Sequence, residues 1–366
     1  MPATELPVAA CSWESVRASE VQSETQIAAG RFAHHGGRLG VARSLFPDVQ
    51  QPWVDLSTGI NPRSYPAPRA SQRSRNRLPE PTELARLEAL AAATFGVDDP
   101  ARVVATAGTE CALRLLPQLV SPRAAVIVGP TYGSHADAWT RAGALTQTIG
   151  LDEVRSHAER AVCLTIVNPN NPDGRIVEHA RLLELHDSLA HHSGTLIVDE
   201  AFADVAPEVS VAAEAGTPAA QRLIVLRSFG KFFGLAGLRL GFIVAATPLA
   251  ATIRGLIGEW PVSSEAIAAG LAAYADQRWM DRERGVLRKA AQRLDHLLAR
   301  SGFELAGGTS LFRLARAADA RERFAQLLAA GILVRPFDFD SRLLRFGLPH
   351  GRDQWRRLAA ALGRQL

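Results

Sequence analysis

Arg222-Leu223-Ile224-Val225-Leu226, followed at once by Arg227-Ser228-Phe229-Gly230-Lys231, is the stretch on which the fold turns. The first part is an apolar run with no polar alternation, which suits a strand covered on both faces by helices. A lysine just past the end of such a strand stands where α/β sheets present groups to ligands. Gly230-Lys231 is no P-loop, because Phe232 occupies the place of the required Ser or Thr and the earlier glycine is missing. Eight residues beyond Lys231 comes Arg239, in Gly237-Leu238-Arg239-Leu240-Gly241.

The lysine stands out against the composition. The chain has 366 residues, with 41 Lys+Arg against 37 Asp+Glu, and Lys231 and Lys289 are its two lysines. Arginine serves surface charge and carboxylate pairing, but lysine offers an amine that can lose its proton and attack a carbonyl. Lys289, in Val286-Leu287-Arg288-Lys289-Ala290 on a long amphipathic pattern, reads as a solvated charge.

Outward from this stretch, β-branched runs alternate with helical patterns: Arg102 to Thr106, Ala124 to Val128, Ala161 to Val167, Thr195 to Val198, Arg222 to Leu226 and Leu240 to Val244. That alternation predicts an α/β fold, a mostly parallel sheet between helix layers. Glu83 to Phe95 has helical spacing with Thr82 as its expected N-cap, and Pro62 to Pro81 reads as an extended connector. After Ile253 a long helix, Arg278 to Arg300, precedes strand-like Leu311 to Leu314, Ile332 to Pro336 and Leu343 to Phe346, which predicts a smaller C-terminal α+β domain.

Hydrophobic residues at 47% and charged residues at 21% describe a globular chain. No basic run is interleaved with aromatics, so nucleic acid is not an expected partner. Cys11, Cys111 and Cys163 have neither framework nor zinc spacing, so no metal is expected and a reducing cytoplasm fits. No signal peptide or membrane span is expected.

Further groups stand at strand ends. Leu196-Ile197-Val198-Asp199-Glu200 ends an apolar run in a carboxylate that suits a metal, a base, a protonated ring nitrogen or a helix cap. Asn168-Pro169-Asn170-Asn171-Pro172 is a rigid turn. Ala107-Gly108-Thr109-Glu110 opens a helix and offers free N–H groups to an anion.

In order and spacing, Gly108, Thr109, Tyr132, Asn171, Asp199, Ser228, Lys231 and Arg239 resemble the signature of fold type I pyridoxal-phosphate enzymes, the aminotransferase superfamily, and its histidinol-phosphate aminotransferase branch. The resemblance implies that Lys231 carries the cofactor, Asp199 bonds its pyridine nitrogen, Asn171 its phenolic oxygen, and Tyr132 stacks on its ring. Gly108, Thr109, Ser228 and Arg239 would hold its phosphate, with Glu110 beside them. A carboxylate against the ring nitrogen keeps it protonated and so maintains the electron sink.

Two features narrow the resemblance. Phe202 stands three residues after Asp199, where the family's transaminases usually place a tyrosine. His35-Gly36-Gly37, Leu45-Phe46-Pro47 and Asp55-Leu56-Ser57-Thr58-Gly59-Ile60-Asn61-Pro62 resemble the N-terminal block of the threonine-phosphate decarboxylases of cobalamin biosynthesis. The resemblance implies decarboxylation of L-threonine O-3-phosphate, with a histidinol-phosphate-type aminotransferase as the alternative. A regulator carrying a non-catalytic aminotransferase-like module is a third class, but no helix-turn-helix pattern precedes the module. Arg345, in Leu344-Arg345-Phe346-Gly347, is expected to grip the substrate carboxylate through a bidentate fork, with Arg335, His35, Gly36, Ser57 and Asn61 as further substrate contacts. By analogy the enzyme is a homodimer, with Tyr65 reaching the partner's phosphate. The expected division is an unordered extension over 1–30, an arm over the active site at 31–80, a cofactor domain at 81–252 and a small domain at 253–366.

Overall fold

The computed structural model describes residues 30–49, 51–120 and 124–365; of the extension expected over 1–30, residues 1–29 lie outside these. Thirteen strands occur among the described residues: Val54–Asp55 (β1), Val103–Thr106 (β2), Ala124–Val128 (β3), Leu145–Ile149 (β4), Cys163–Val167 (β5), Thr195–Asp199 (β6), Leu223–Ser228 (β7), Gly241–Val244 (β8), Glu304–Thr309 (β9), Phe312–Arg316 (β10), Ile332–Leu333 (β11), Arg335–Pro336 (β12) and Leu343–Gly347 (β13). Seven of them form one sheet in the order β2-β8-β7-β6-β5-β3-β4, in which β8 runs antiparallel to both neighbours and the other pairings are parallel.

The uniform apolarity of these strands is explained by their two covered faces. In β6, Leu196 and Val198 join the large core on one side, while Ile197 joins a second core on the other with Ile224, Leu226 and Ile127. A strand's side chains alternate, so burial on both faces demands apolar residues at every position. The seventh strand, β4, escaped the sequence reading. It is an edge strand with Leu145 78% exposed, and one solvated face tolerates Thr146, Gln147 and Thr148.

The C-terminal sheet, β12-β13-β10-β9, is antiparallel. Ile332 to Pro336, read as one strand, splits in two: Ile332–Leu333 pairs with β1 of the N-terminal arm and Arg335–Pro336 pairs with β13. The arm is thus stitched to the small domain. A domain boundary at 252/253 is not kept, because the helix Thr247–Ile257 runs through it with Ala250 and Ile253 in the core beside β2. The helix Ser264–Ala275 likewise packs on Pro81–Phe95, and the small domain takes over at Gln277–Arg300, capped by Asp276. Pro81–Phe95 begins earlier than expected; Glu80 is its N-cap, Pro81 occupies the first turn, and Thr82 lies inside. The connector before it includes a short helix, Gln72–Arg75, capped by Ser71. Among the described residues no helix is long and apolar enough to cross a membrane.

Candidate active site

Parallel strands end on one edge of their sheet, and the polar residues that follow them meet there. β2 leads to Gly108 and Thr109, β3 to Tyr132, β5 to Asn171, β6 ends in Asp199, and β7 ends in Ser228 just before Lys231. Because β8 runs the other way, its start, preceded by Arg239, comes to the same edge. These residues, with Glu110 and Phe202, line a cavity of about 410 Å³. Its opposite wall comes from far away in sequence: His35, Gly36, Thr58 and Gly59 from the arm, Arg335 and Arg345 from the small domain.

Lys231 lies in the turn Phe229–Phe232. Its amine is pushed down to about 8, first by burial, then by Arg345, Arg239 and Arg335, with Asp199 pulling the other way. Asp199 is 4% exposed; Oδ1 accepts the Ala201 N–H at 3.0 Å and Oδ2 lies 2.9 Å from His135 Nε2. His135 is buried and was missed in the sequence. Its one signal was its place three residues after Tyr132, which a helical turn brings back to the same side.

Gly108 has a positive φ of 84°, and a Cβ there would lie 2.6 Å from Arg239 Nη2. The guanidinium therefore packs directly over the glycine at the start of the helix Thr109–Val120, where free N–H groups and a cation converge. Arg239 itself is exposed towards the cavity and holds φ 54°.

The two buried arginines differ in what they have left to offer. Arg345 Nη1 donates to Asn171 Oδ1 at 2.5 Å and Nη2 to the Ser57 carbonyl at 2.8 Å, so both tips of the expected bidentate fork are engaged and Nε alone lacks a partner. Arg335 uses Nη2, on the carbonyls of Ala33 and His34, and its Nε is likewise unpartnered. Burial, and for Arg345 the charge of Arg335, pushes both guanidinium pKa values down. Two desolvated cations with orphaned donors make a site for anions.

Residues 52–362 match the family model for aminotransferase class I and II. The chain belongs to that family. It is 40% identical over 330 residues, 90% of this chain and 96% of the other, to a threonine-phosphate decarboxylase of Pseudomonas aeruginosa. It is 38% identical over 335 residues, 90% of this chain and 97% of the other, to a threonine-phosphate decarboxylase of a Sinorhizobium species. Among solved structures, L-threonine-O-3-phosphate decarboxylase from Porphyromonas gingivalis shares the fold, with a TM-score of 0.71 at 21% identity over 85% of this chain and 98% of that one.

The residues present fit pyridoxal phosphate on their own chemistry. A half-buried amine with a lowered pKa suits its aldehyde, a buried carboxylate suits a protonated ring nitrogen, and a helix start with an arginine suits its phosphate. Among the described residues no cluster of His, Cys, Asp and Glu could hold a metal.

Three expected residues are placed elsewhere. Asn61 is fully buried outside the cavity lining; its Nδ2 donates to the Phe232 carbonyl at 2.9 Å and Glu283 Oε1 at 3.1 Å, tying the arm to the turn that carries Lys231. Ser57 also lies behind the lining, where Oγ accepts the Gly37 N–H and donates to Asp55. Tyr65 is packed against Trp279 and Phe233 of its own chain, its hydroxyl 3.1 Å from the Ala272 carbonyl. In each case the polar atom is taken up by a neighbour within the chain, a contact that spans over a hundred residues for Asn61 and Tyr65 and there has no local signature.

Proposed function

We propose that the protein is a pyridoxal-phosphate-dependent decarboxylase of L-threonine O-3-phosphate, yielding (R)-1-amino-2-propanol O-2-phosphate for cobalamin biosynthesis. The observation that carries this reading is the near full-length likeness to two threonine-phosphate decarboxylases at 40% and 38% identity. The cavity supports it. A substrate with a carboxylate and a phosphate needs two cationic holds, and Arg335 and Arg345 both face the space beside Lys231.

When bound, the cofactor supplies an electron sink conjugated to the substrate's Cα. Asp199, oriented by His135, is the carboxyl group that would pair with the cofactor's ring nitrogen. Lys231, with its pKa near 8, is partly unprotonated at neutral pH, so its amine would be the nucleophile that holds the cofactor's aldehyde and the group that holds or returns a proton at the substrate's Cα. Arg335, Arg345 and His35 would orient the anionic groups, and the arm forms the cavity wall beside them. Phe202 puts an apolar ring, 6.0 Å from Lys231 Nζ, where a tyrosine would add a hydroxyl.

The assembly we propose is a cytoplasmic homodimer. Cys111 and Cys163 are free thiols, and Leu78, Leu256 and Trp260 expose apolar surface. Purified protein with L-threonine O-3-phosphate is expected to release CO₂ with no 2-oxo acid added or formed. Strict dependence on 2-oxoglutarate would instead make it an aminotransferase of the histidinol-phosphate type.

A further inference from the structure

Glu110 faces the cavity with a charge of the wrong sign for an anionic cofactor or substrate. Its contacts point sideways. Oε2 accepts the Tyr132 hydroxyl at 3.2 Å, while Oε1 lies 3.0 Å from Arg114 Nε and 2.9 Å from Arg114 Nη2. Arg114 Nη1 donates to Asp137 Oδ2 at 2.6 Å, and Asp137 Oδ1 takes Arg141 Nε at 2.7 Å. This ladder joins the helices Thr109–Val120 and Ser134–Arg141, which begin on either side of Tyr132. The ring has two further aromatic neighbours, His35 at 5.9 Å and His135 at 6.1 Å between centroids. Burial, and then Glu110 and Asp199, raises the phenol's pKa against the lowering effect of a side-chain hydrogen bond with Ser134, so the hydroxyl stays a donor through the neutral range.

We propose that Glu110 is a positioning residue that acts through the Tyr132 hydroxyl: it holds the far tip of the ring and so fixes where the ring sits against the cofactor, and Arg114 and Asp137 fix Glu110 in turn. The inference rests on the cofactor reading above. A phenol anchored at Cβ can swing about its Cα–Cβ bond, and hydrogen bonding at its far tip, to a clamped carboxylate and to Ser134, resists that swing. Stacking depends on ring geometry, so a ring that tilts forfeits part of the contact.

The test is a double-mutant cycle with Glu110→Ala, Tyr132→Phe and the pair, with Arg114→Met as a second route to the same effect. It reads the pyridoxal-phosphate dissociation constant and the circular dichroism in the bound cofactor's visible band, while thermal unfolding monitors the fold. Glu110→Ala is expected to weaken cofactor binding roughly three- to tenfold and to diminish the visible dichroism. Tyr132→Phe should do the same, and Glu110→Ala should add nothing when combined with Tyr132→Phe. Arg114→Met should give a smaller loss that also disappears in the Tyr132→Phe variant. An equal loss in both backgrounds, or no loss with Tyr132 present, overturns the inference while leaving the cofactor reading intact. No visible band with the unaltered protein overturns both.

Discussion

The two walls of the cavity are built in different ways. On one side, Gly108, Tyr132, Asn171, Asp199 and Lys231 each follow a strand of the same sheet within a few residues, so the sheet's direction alone brings them together. On the other, His35, Gly59, Arg335 and Arg345 depend on β1 pairing with β11 and on the small sheet lying against the arm, where Gly347 N donates to the Leu56 carbonyl at 2.6 Å. On the proposed function, the strand-end wall carries the groups that would do chemistry. The arm-and-small-domain wall carries groups that hold and enclose, and it is the part whose register is set by contacts made late in the chain.

Substitutions separate these roles, beginning with the largest effect. Lys231→Ala is expected to lower kcat by roughly 10³-fold or more, since no neighbouring amine can take its place. With Lys289 as the one other lysine, borohydride trapping of pyridoxal phosphate followed by peptide mapping should label Lys231 and lose that label in the variant. On the far wall, Arg345→Met is expected to raise KM for the phosphorylated substrate roughly ten- to a hundredfold, with a smaller change in kcat. A kcat loss matching that of Lys231→Ala at unchanged KM would erase the division between the walls.

Smaller effects probe how tightly the walls meet. A Cβ at Gly59 would lie 2.8 Å from Phe312 Cδ1 and 3.0 Å from Phe202 Cε1, where the two rings pack edge-on at 5.1 Å. Gly59→Ala should therefore cost about 1–3 kcal/mol in urea unfolding by forcing the arm off its seat. A comparable effect is a pH dependence of the cofactor-free protein. Because the Lys231 pKa is lowered from 10.5 to about 8, the folded state sheds its proton before the unfolded state does. Stability should rise with pH between about 8 and 10.5, at up to ~1.4 kcal/mol per pH unit. Lys231→Met should lack that rise in paired urea titrations, and an unchanged slope would mean that the amine is not desolvated.

Much of the strand-end wall was legible because local rules placed it: apolar runs marked the buried strands, and polar turns marked their ends. The misses have physical causes. β4 is an edge strand that needs no continuous apolar pattern. His135 acts only because one helical turn carries it under Asp199, and a lone histidine gives no local sign of its partner. Asn61 and Tyr65 looked like site residues by their neighbourhood in sequence, but the backbone carbonyls of Phe232 and Ala272 claim their polar atoms. Arg345 looked like a free fork, and Asn171 and Ser57 occupy its tips.

By itself the sequence determined the α/β class, the family signature and the identity of the amine, because strand periodicity, turn residues and a near-absence of lysine are properties of short stretches. Tertiary structure decided which donors remain free, which carboxylate orients which ring, and that the arm belongs to the small domain. Those outcomes depend on pairing between residues up to about three hundred positions apart, as Arg335 with the carbonyls of Ala33 and His34, and the free energy of such contacts exists only once both partners have been brought out of water together.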